Sequence, residues 1–134
     1  MTRQIFVNLP VTDLPRARAF YQALGFSIDD QFSGDSGACV VISDAISVMI
    51  LTHGQFRDLS PRPLVDPRQG ATALISLTCD SRAEVDALCE AAKAAGGADA
   101  HPPEDLGFMY SRAFHDPDGN GFGLFWINPE PAGG

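Results

Sequence analysis

A repeat of 68 positions, as from residue 8 to residue 76, limits the fold of this chain more than any other feature. In each half an alternating apolar segment is followed by a helix-capping residue and then by an i, i+3, i+4, i+7 apolar stripe. The matched pairs are Asn8 with Ser76, Asp13 with Ser81, Phe20 with Leu88, and Leu24 with Ala92. The repeat predicts two tandem βαβββ modules of the α+β class. Since neither module can bury its sheet alone, we expect one curved mixed sheet with a helix behind each half.

The 134 residues suit one domain, which we divide into four segments. Module one covers residues 4–52 and module two covers residues 71–128. Residues 53–70 contain three prolines and are predicted to form a linker with one short helical turn. Residues 129–134 form a tail that we expect to be disordered.

Caps and apolar runs place the elements within the modules. Asp13 caps the first helix, and Ser81 with Glu84 forms a capping box before the second, each side chain binding the other residue's free backbone amide. Gly25 and Gly96 end these helices. The predicted strands cover residues 5–11, 26–32, 38–42, 46–51, 73–79, 98–101, 108–114 and 122–127.

The segment from Ala113 to Trp126 is predicted to be a hairpin around the turn Asp116-Pro117-Asp118-Gly119-Asn120. This stretch, together with the paired modules, resembles the vicinal oxygen chelate superfamily of glyoxalase I, bleomycin-resistance proteins, fosfomycin-resistance enzymes and extradiol dioxygenases. In that group the turn reads Asp-Pro-(Asp/Asn)-Gly-(Asn/His), and a Glu three or four residues later commonly binds a metal. Here Gly123 occupies that place.

The resemblance implies one metal ligand on the first and last strand of each module. Carried over to this chain, those positions are Asn8, Met49, Ser76 and Gly123, which we expect to converge on a shared concave hollow. Catalytic divalent metals in such sites take imidazole and carboxylate ligands. Because no set of three such ligands survives, we expect no metal and no cofactor.

Strand alternation predicts the side chains of the concave face. They combine apolar surface with a few polar groups, as a site for a small apolar or aromatic ligand requires. The candidate ligand-binding residues are Phe6, Asn8, Met49, Leu51, Ser76, Tyr110, Arg112 and Phe125.

The strand at residues 108–114 leaves two alternatives open, and the histidines show no metal-binding motif. Tyr110, Arg112 and Phe114 share one strand face, which is either the concave face, where Arg112 suits an anion, or the helix side, where Arg112 pairs with Asp116 or Asp118. The three histidines, at positions 53, 101 and 115, form no HxH, HxxxH or HExxH motif and are expected in solvated loops.

Net charge limits the partners that we expect, and cysteine content indicates the compartment. A net charge of −8, with one Lys and scattered Arg, argues against nucleic acid and favours cationic small molecules. The odd count of three Cys predicts buried free thiols in a reducing compartment. We find no signal-peptide core and no membrane-spanning run, and we expect a cytoplasmic protein.

These observations predict a protein that binds a small apolar or aromatic molecule without a family-type metal and without turnover, and the resemblance implies a homodimer. The alternative is a metal-dependent enzyme, either a glyoxalase-like lyase or isomerase or a dioxygenase, with a displaced metal site. The sequence identifies no catalytic residue, so enzymatic activity stays undecided at this point.

Overall fold

A computed structural model of the chain describes residues 3–71 and 73–129. The chain divides after Gly70 into two compact units, here called unit 1 and unit 2. Each unit holds one four-stranded mixed sheet, so the α+β class and the two similar modules are confirmed. The predicted tail lies, from residue 130 onward, outside the described residues.

Unit 1 contains four strands and two α-helices. Its sheet has the order β1-β4-β3-β2, with β1 and β4 parallel and the other neighbours antiparallel. The elements are β1 (Ile5–Val11), α1 (Leu14–Ala23), β2 (Ser27–Asp29), a 3-10 helix (Asp30–Phe32), β3 (Gly37–Val41), β4 (Ile46–Thr52) and α2 (His53–Leu59).

The core of unit 1 lies between α1 and one face of this sheet. The Asp13 carboxylate accepts the Arg16 amide at 3.0 Å and so starts α1 as predicted. The α1 stripe buries Phe20 and Tyr21, whose rings meet edge to face with centroids 4.9 Å apart. Strand residues such as Val48 complete this core and are fully buried.

Unit 2 repeats the arrangement. Its sheet has the order β5-β8-β7-β6, again with one parallel pair, β5 with β8. The elements are β5 (Leu74–Thr78), α3 (Arg82–Ala94), β6 (Ala98–Asp105), β7 (Met109–His115) and β8 (Gly121–Ile127).

The turn between β7 and β8 is held by its own first residue. The Asp116 carboxylate is buried and accepts the backbone amides of Asp118 and Asn120 at 2.9 and 2.8 Å. Gly119 has φ +97°, a left-handed conformation that suits glycine. Beside the turn, Phe114 and Phe122 stack at 5.2 Å on the face that packs against α3.

Four local predictions differ from the structure, the first being β6, which continues beyond the predicted residues 98–101 to Asp105. The second strand covers only Ser27–Asp29, because the Asp29 side chain accepts the Gln31 amide and starts a 3-10 turn. The capping box is not reciprocal, since Ser81 binds the Glu84 amide but the Glu84 carboxylate accepts the amide of Asp80. The linker region begins with a two-turn helix, α2, rather than a single turn.

Candidate functional site

The sheet of unit 2 has one face covered by α3 and one open face. On the covered face Phe114, Phe122 and Leu124 are at most 2% exposed. On the opposite face lies a hollow of about 320 Å³, which we call the open-face hollow. Leu74 at its edge is 75% exposed. The covered face therefore provides stability, and the open face is free to bind a ligand.

The open-face hollow is mainly apolar. Leu74, Met109, Ala113 and Phe125 supply apolar side chains, and Gly121 and Gly123 expose strand backbone. The polar residues of its lining are Ser76, Ser111, His101, His115 and Arg112. An apolar surface with a few polar groups is the composition of small-molecule sites.

Ser76 and Gly123, two positions carried over from the family resemblance, are direct neighbours on β5 and β8. A Cβ atom on Gly123 would lie 3.2 Å from the Ser76 hydroxyl oxygen, so the two positions are in close contact across the strands. In unit 1, Asn8 and Met49 are the corresponding neighbours on β1 and β4. Each unit thus holds one pair of these positions at equivalent places in its own sheet.

The residues at these four positions do not fit a catalytic divalent metal. Asn8 offers a neutral amide oxygen, Met49 a thioether, Ser76 a hydroxyl and Gly123 no side chain. Such metals take imidazole and carboxylate ligands in this chemistry. Across residues 3–71 and 73–129, no three His, Cys, Asp or Glu side chains form a group that could hold a metal ion.

The polar groups of Tyr110 and Arg112 lie on the helix side of unit 2, the second of the two alternatives for their strand face, and not in the open-face hollow that they were predicted to line as ligand-binding groups, although Arg112 borders that hollow. The Tyr110 hydroxyl donates to Asp86 of α3 at 2.6 Å. The Arg112 guanidinium donates to Asp86, Glu90 and Asp99 at 3.1, 2.8 and 3.2 Å. These partners replace Asp116 and Asp118, which the sequence reading had offered for Arg112.

Hydrogen bonds within this helix-side cluster stabilise the charged forms of Arg112 and Asp86. Burial alone would lower the pKa of Arg112, but hydrogen bonds to Glu90 and Asp86 outweigh it and raise the pKa above its usual value. The hydrogen bond from Tyr110, followed by that from Arg112, lowers the pKa of Asp86. The same bond raises the pKa of Tyr110, so its hydroxyl stays a donor to this carboxylate.

His101 and His115 lie on β6 and β7 and line the open-face hollow, which corrects their prediction as solvated loop residues. Strand alternation could have predicted the position of His115, because Phe114 points to α3 and the next side chain must point to the opposite face. His53 lies elsewhere, as the first residue of α2 in unit 1.

The remaining predicted ligand-binding residues divide between the two units. Ser76 and Phe125 line the open-face hollow of unit 2. In unit 1, Met49 and Leu51 border a second, separate hollow of about 320 Å³ together with Gln55.

Asn8 lies beside Met49 in the parallel pair of β1 and β4, and Phe6, two residues earlier on β1, is 48% exposed. Both side chains therefore belong to the face of the unit 1 sheet that carries Met49.

The three cysteines are inert by their surroundings. Cys39, Cys79 and Cys89 are free and buried, as predicted. Burial raises the pKa of Cys79 to about 12 and that of Cys89 to about 11. A thiolate is the reactive form of cysteine, so these residues are unsuited to nucleophilic chemistry.

Within the described part of the chain, no helix is long and apolar enough to cross a membrane.

Comparison with known proteins places these features in context. The model of the Glyoxalase/Bleomycin resistance protein/Dioxygenase superfamily matches residues 3–124. Comparison with curated proteins gives no match.

Among solved structures, hypothetical protein SA1046 from S. aureus has 30% identity and a TM-score of 0.80, with 95% of each chain covered. The bleomycin resistance determinant encoded on transposon Tn5 has 26% identity and a TM-score of 0.66, covering 94% of this chain and 98% of that one. A glyoxalase/bleomycin resistance protein/dioxygenase family enzyme from Burkholderia phytofirmans PsJN has 21% identity and a TM-score of 0.75, covering 94% and 99%.

Proposed function

The chain belongs to the Glyoxalase/Bleomycin resistance protein/Dioxygenase superfamily, and from that premise we propose that it binds a small apolar or aromatic molecule in the open-face hollow, without a family-type metal and without turnover. The observation that carries the proposal is the hollow of about 320 Å³ on the uncovered face of unit 2. Its size is at the lower end for small-molecule sites, which suits a ligand of one or two rings.

The floor of the hollow supports a flat ligand. Ala113 and Gly123 are neighbours on β7 and β8, and Ser76 follows on β5, so three small residues lie side by side. Around them, Leu74 and Phe125 supply larger apolar side chains. Burying apolar ligand surface against such a floor contributes about 25 cal/mol for each Å² removed from water.

Metal independence is part of the proposal and is supported by donor chemistry. Ser76 and Gly123 stand where the family places metal ligands, and together they offer one neutral hydroxyl. Neutral hydroxyls are poor ligands for the divalent metals of this superfamily.

One observation favours the alternative function, a metal-dependent enzyme with a displaced site. His101 and His115 both line the open-face hollow, and imidazole is a common metal ligand. Metal analysis after exposure to Ni, Zn, Mn and Fe distinguishes the two functions. About one tightly held ion per chain, lost in His115→Gln, supports the enzyme, whereas substoichiometric metal in every case excludes it.

The binding proposal is tested with a matched pair of substitutions in unit 2. Ala113→Leu places a larger side chain in the hollow, whereas Ala94→Leu makes the same change at an exposed position of α3. A panel of aromatic compounds is screened by thermal shift with chelator-treated protein. We expect compounds that stabilise the wild type and Ala94→Leu but not Ala113→Leu. Failure of every compound to stabilise the wild type, or equal stabilisation of both variants, contradicts the proposal.

We also propose that the protein is a homodimer. β1 and β5 each form one of the two edges of their sheets and carry exposed apolar side chains, with Ile5 54%, Phe6 48% and Leu74 75% exposed. Edge strands of this kind pair readily with another chain. Sedimentation equilibrium should give twice the chain mass of 14.3 kDa, and a monomer at all concentrations contradicts the assignment.

A cytoplasmic location is the remaining part of the proposal. The buried free cysteines Cys39, Cys79 and Cys89 support a reducing compartment, where thiols persist. Cell fractionation with an antibody against the protein tests this assignment, and recovery in an oxidising compartment contradicts it.

A further inference from the structure

We propose that the open-face hollow selects neutral or anionic aromatic molecules and rejects cationic ones, although the chain as a whole is acidic. This inference rests on the proposed binding function and concerns the charge class of the ligand. The observation behind it is the charge of the lining: none of the described residues that line the hollow is Asp or Glu, while two are His. The net charge of −8 therefore resides outside the site.

Three carboxylates on or next to the strands of this sheet are engaged by other groups, whereas Glu104 on β6, opposite Ser111, is exposed to solvent. Asp99 on β6 pairs with Arg112 at 3.2 Å and with Lys93 at 3.2 Å on the helix side. Asp116, directly after β7, directs its carboxylate into its own turn. Asp105 at the end of β6 forms a bidentate pair with Arg82 at 2.7 and 3.0 Å. These acids thus have cations or backbone amides as partners on other sides of the unit.

The pairing of the neighbouring acids decides between the net charge and the local lining. A carboxylate that already binds a cation or backbone amides attracts an ammonium group less than an unpaired one does. An ammonium group in the hollow loses hydration and meets no carboxylate among the described residues that line it. Since burying an unpaired charge is costly, the local lining outweighs these engaged acids.

The polar groups of the hollow suit hydrogen-bond acceptors. The His101 Nδ1 donates to the Pro102 carbonyl at 2.8 Å, which restrains the ring, so that only the protonated imidazole has an Nε2–H left to donate to a ligand. The His115 ring lies beside Gly121, because a Cβ atom there would be 3.6 Å from Cδ2 and 3.9 Å from Nε2 of the imidazole.

Hydroxyls of Ser76 and Ser111 add two further donors. A carboxylate, phenol or carbonyl on the ligand can accept from such groups, and a bond to an ionised acceptor is the stronger kind.

Arg112 also borders the hollow. Its guanidinium is held on the helix side by three carboxylates, so it is not available for direct contact with a ligand. The selectivity is therefore assigned to His101 and His115, with Arg112 as a structural residue.

Three probes that share one ring system test the inference: naphthalene-2-carboxylate, 2-naphthalenemethanol and 2-naphthylmethylammonium. Their dissociation constants are measured by calorimetry at pH 7 in 150 mM salt. We expect the carboxylate to bind about tenfold more tightly than the ammonium compound, the difference that one charge-assisted hydrogen bond provides. The alcohol should fall between them.

Two substitutions connect this preference to the histidines. In the double variant His101→Gln, His115→Gln the ratio should fall below about threefold, and each single variant should lower it in the same direction. His53→Gln, in unit 1, is the matched control and should keep the wild-type ratio.

The outcomes distinguish a failure of this inference from a failure of the proposed binding function. If the ammonium compound binds as tightly as the carboxylate, or more tightly, the charge assignment is wrong while the binding function stands. A preference that is unchanged in the double variant contradicts the role given to the histidines. If none of the three probes binds, or if their binding survives Ala113→Leu, both proposals fail.

Discussion

Replacing Arg112 with Met should destabilise the protein, because this guanidinium joins three elements of unit 2. It connects β7 to α3 through Asp86 and Glu90, and to β6 through Asp99. The Arg112 side chain is only 10% exposed, and Met preserves most of its apolar stem. The substitution thus removes the charge and its hydrogen bonds and leaves three carboxylates near one another without their shared cation.

The expected loss is about 2 kcal/mol in the free energy of unfolding. Breaking a fully buried ion pair costs about 3 to 5 kcal/mol. Here the carboxylate side chains are 42% to 58% exposed, so water compensates for part of the loss. The guanidinium itself is nearly buried, which keeps the effect well above that of a surface pair.

Urea unfolding of the wild type and the variant at pH 7 measures this difference. Arg18→Met is the matched control, since Arg18 pairs with Asp30 at 3.4 Å on the surface, where the Asp30 side chain is 88% exposed. The control should cost less than about 0.5 kcal/mol. Equal effects of the two substitutions would refute the reasoning, because the cluster would then behave as an ordinary surface pair.

The pH dependence gives a second check on the same variant. Hydrogen bonds lower the pKa of Asp86, chiefly from Tyr110 and then from Arg112, and Arg112 lowers that of Glu90. A carboxylate whose folded pKa lies below its unfolded value of about 4 stabilises the protein above that value. This stability is lost as the pH falls through the folded pKa. The difference between wild type and variant should therefore shrink between about pH 5 and pH 2, and a difference that grows contradicts the assignment.

Three further predictions concern the turn and the thiols. Gly119→Ala should lower the free energy of unfolding by about 1 kcal/mol in thermal or urea unfolding, because the φ of Gly119 is +97°. Gly34→Ala is the control, at a position without positive φ or nearby atoms, and should lower it clearly less. Equal losses would contradict backbone strain at residue 119. Asp116→Ala should cost about 2 kcal/mol in urea unfolding, since the buried carboxylate accepts two backbone amides of the turn; a neutral effect contradicts this role. Cys79 and Cys89 should react with a disulfide reagent at pH 8 far more slowly in the folded protein than in urea, because burial raises their pKa to about 12 and about 11; equal rates contradict their burial.

The sequence predicted the elements whose signals are local. Asp13 and Ser81 cap helices as the repeat required, and their apolar stripes face the sheets. The family resemblance selected Asn8, Met49, Ser76 and Gly123, and the structure pairs Asn8 with Met49 and Ser76 with Gly123 on neighbouring strands.

The face of β7 could not be read from that strand alone. Alternation grouped Tyr110, Arg112 and Phe114 correctly, but the side on which they lie depends on α3. Asp86 and Glu90 are one turn apart on that helix, next to its apolar stripe, and they receive the polar side chains of β7. His115 was placed in a loop because the predicted strand ended at residue 114, whereas β7 extends to His115.

Amide chemical-shift mapping tests the central claim most directly. Chelator-treated, isotope-labelled protein is titrated with naphthalene-2-carboxylate, and the backbone amides are followed by NMR. Our account predicts that the largest shifts occur at Ser76, Ala113 and Gly123 on the open face of unit 2, with saturation and no added metal. Shifts that map to another surface, or that appear only after a divalent metal is added, would contradict it.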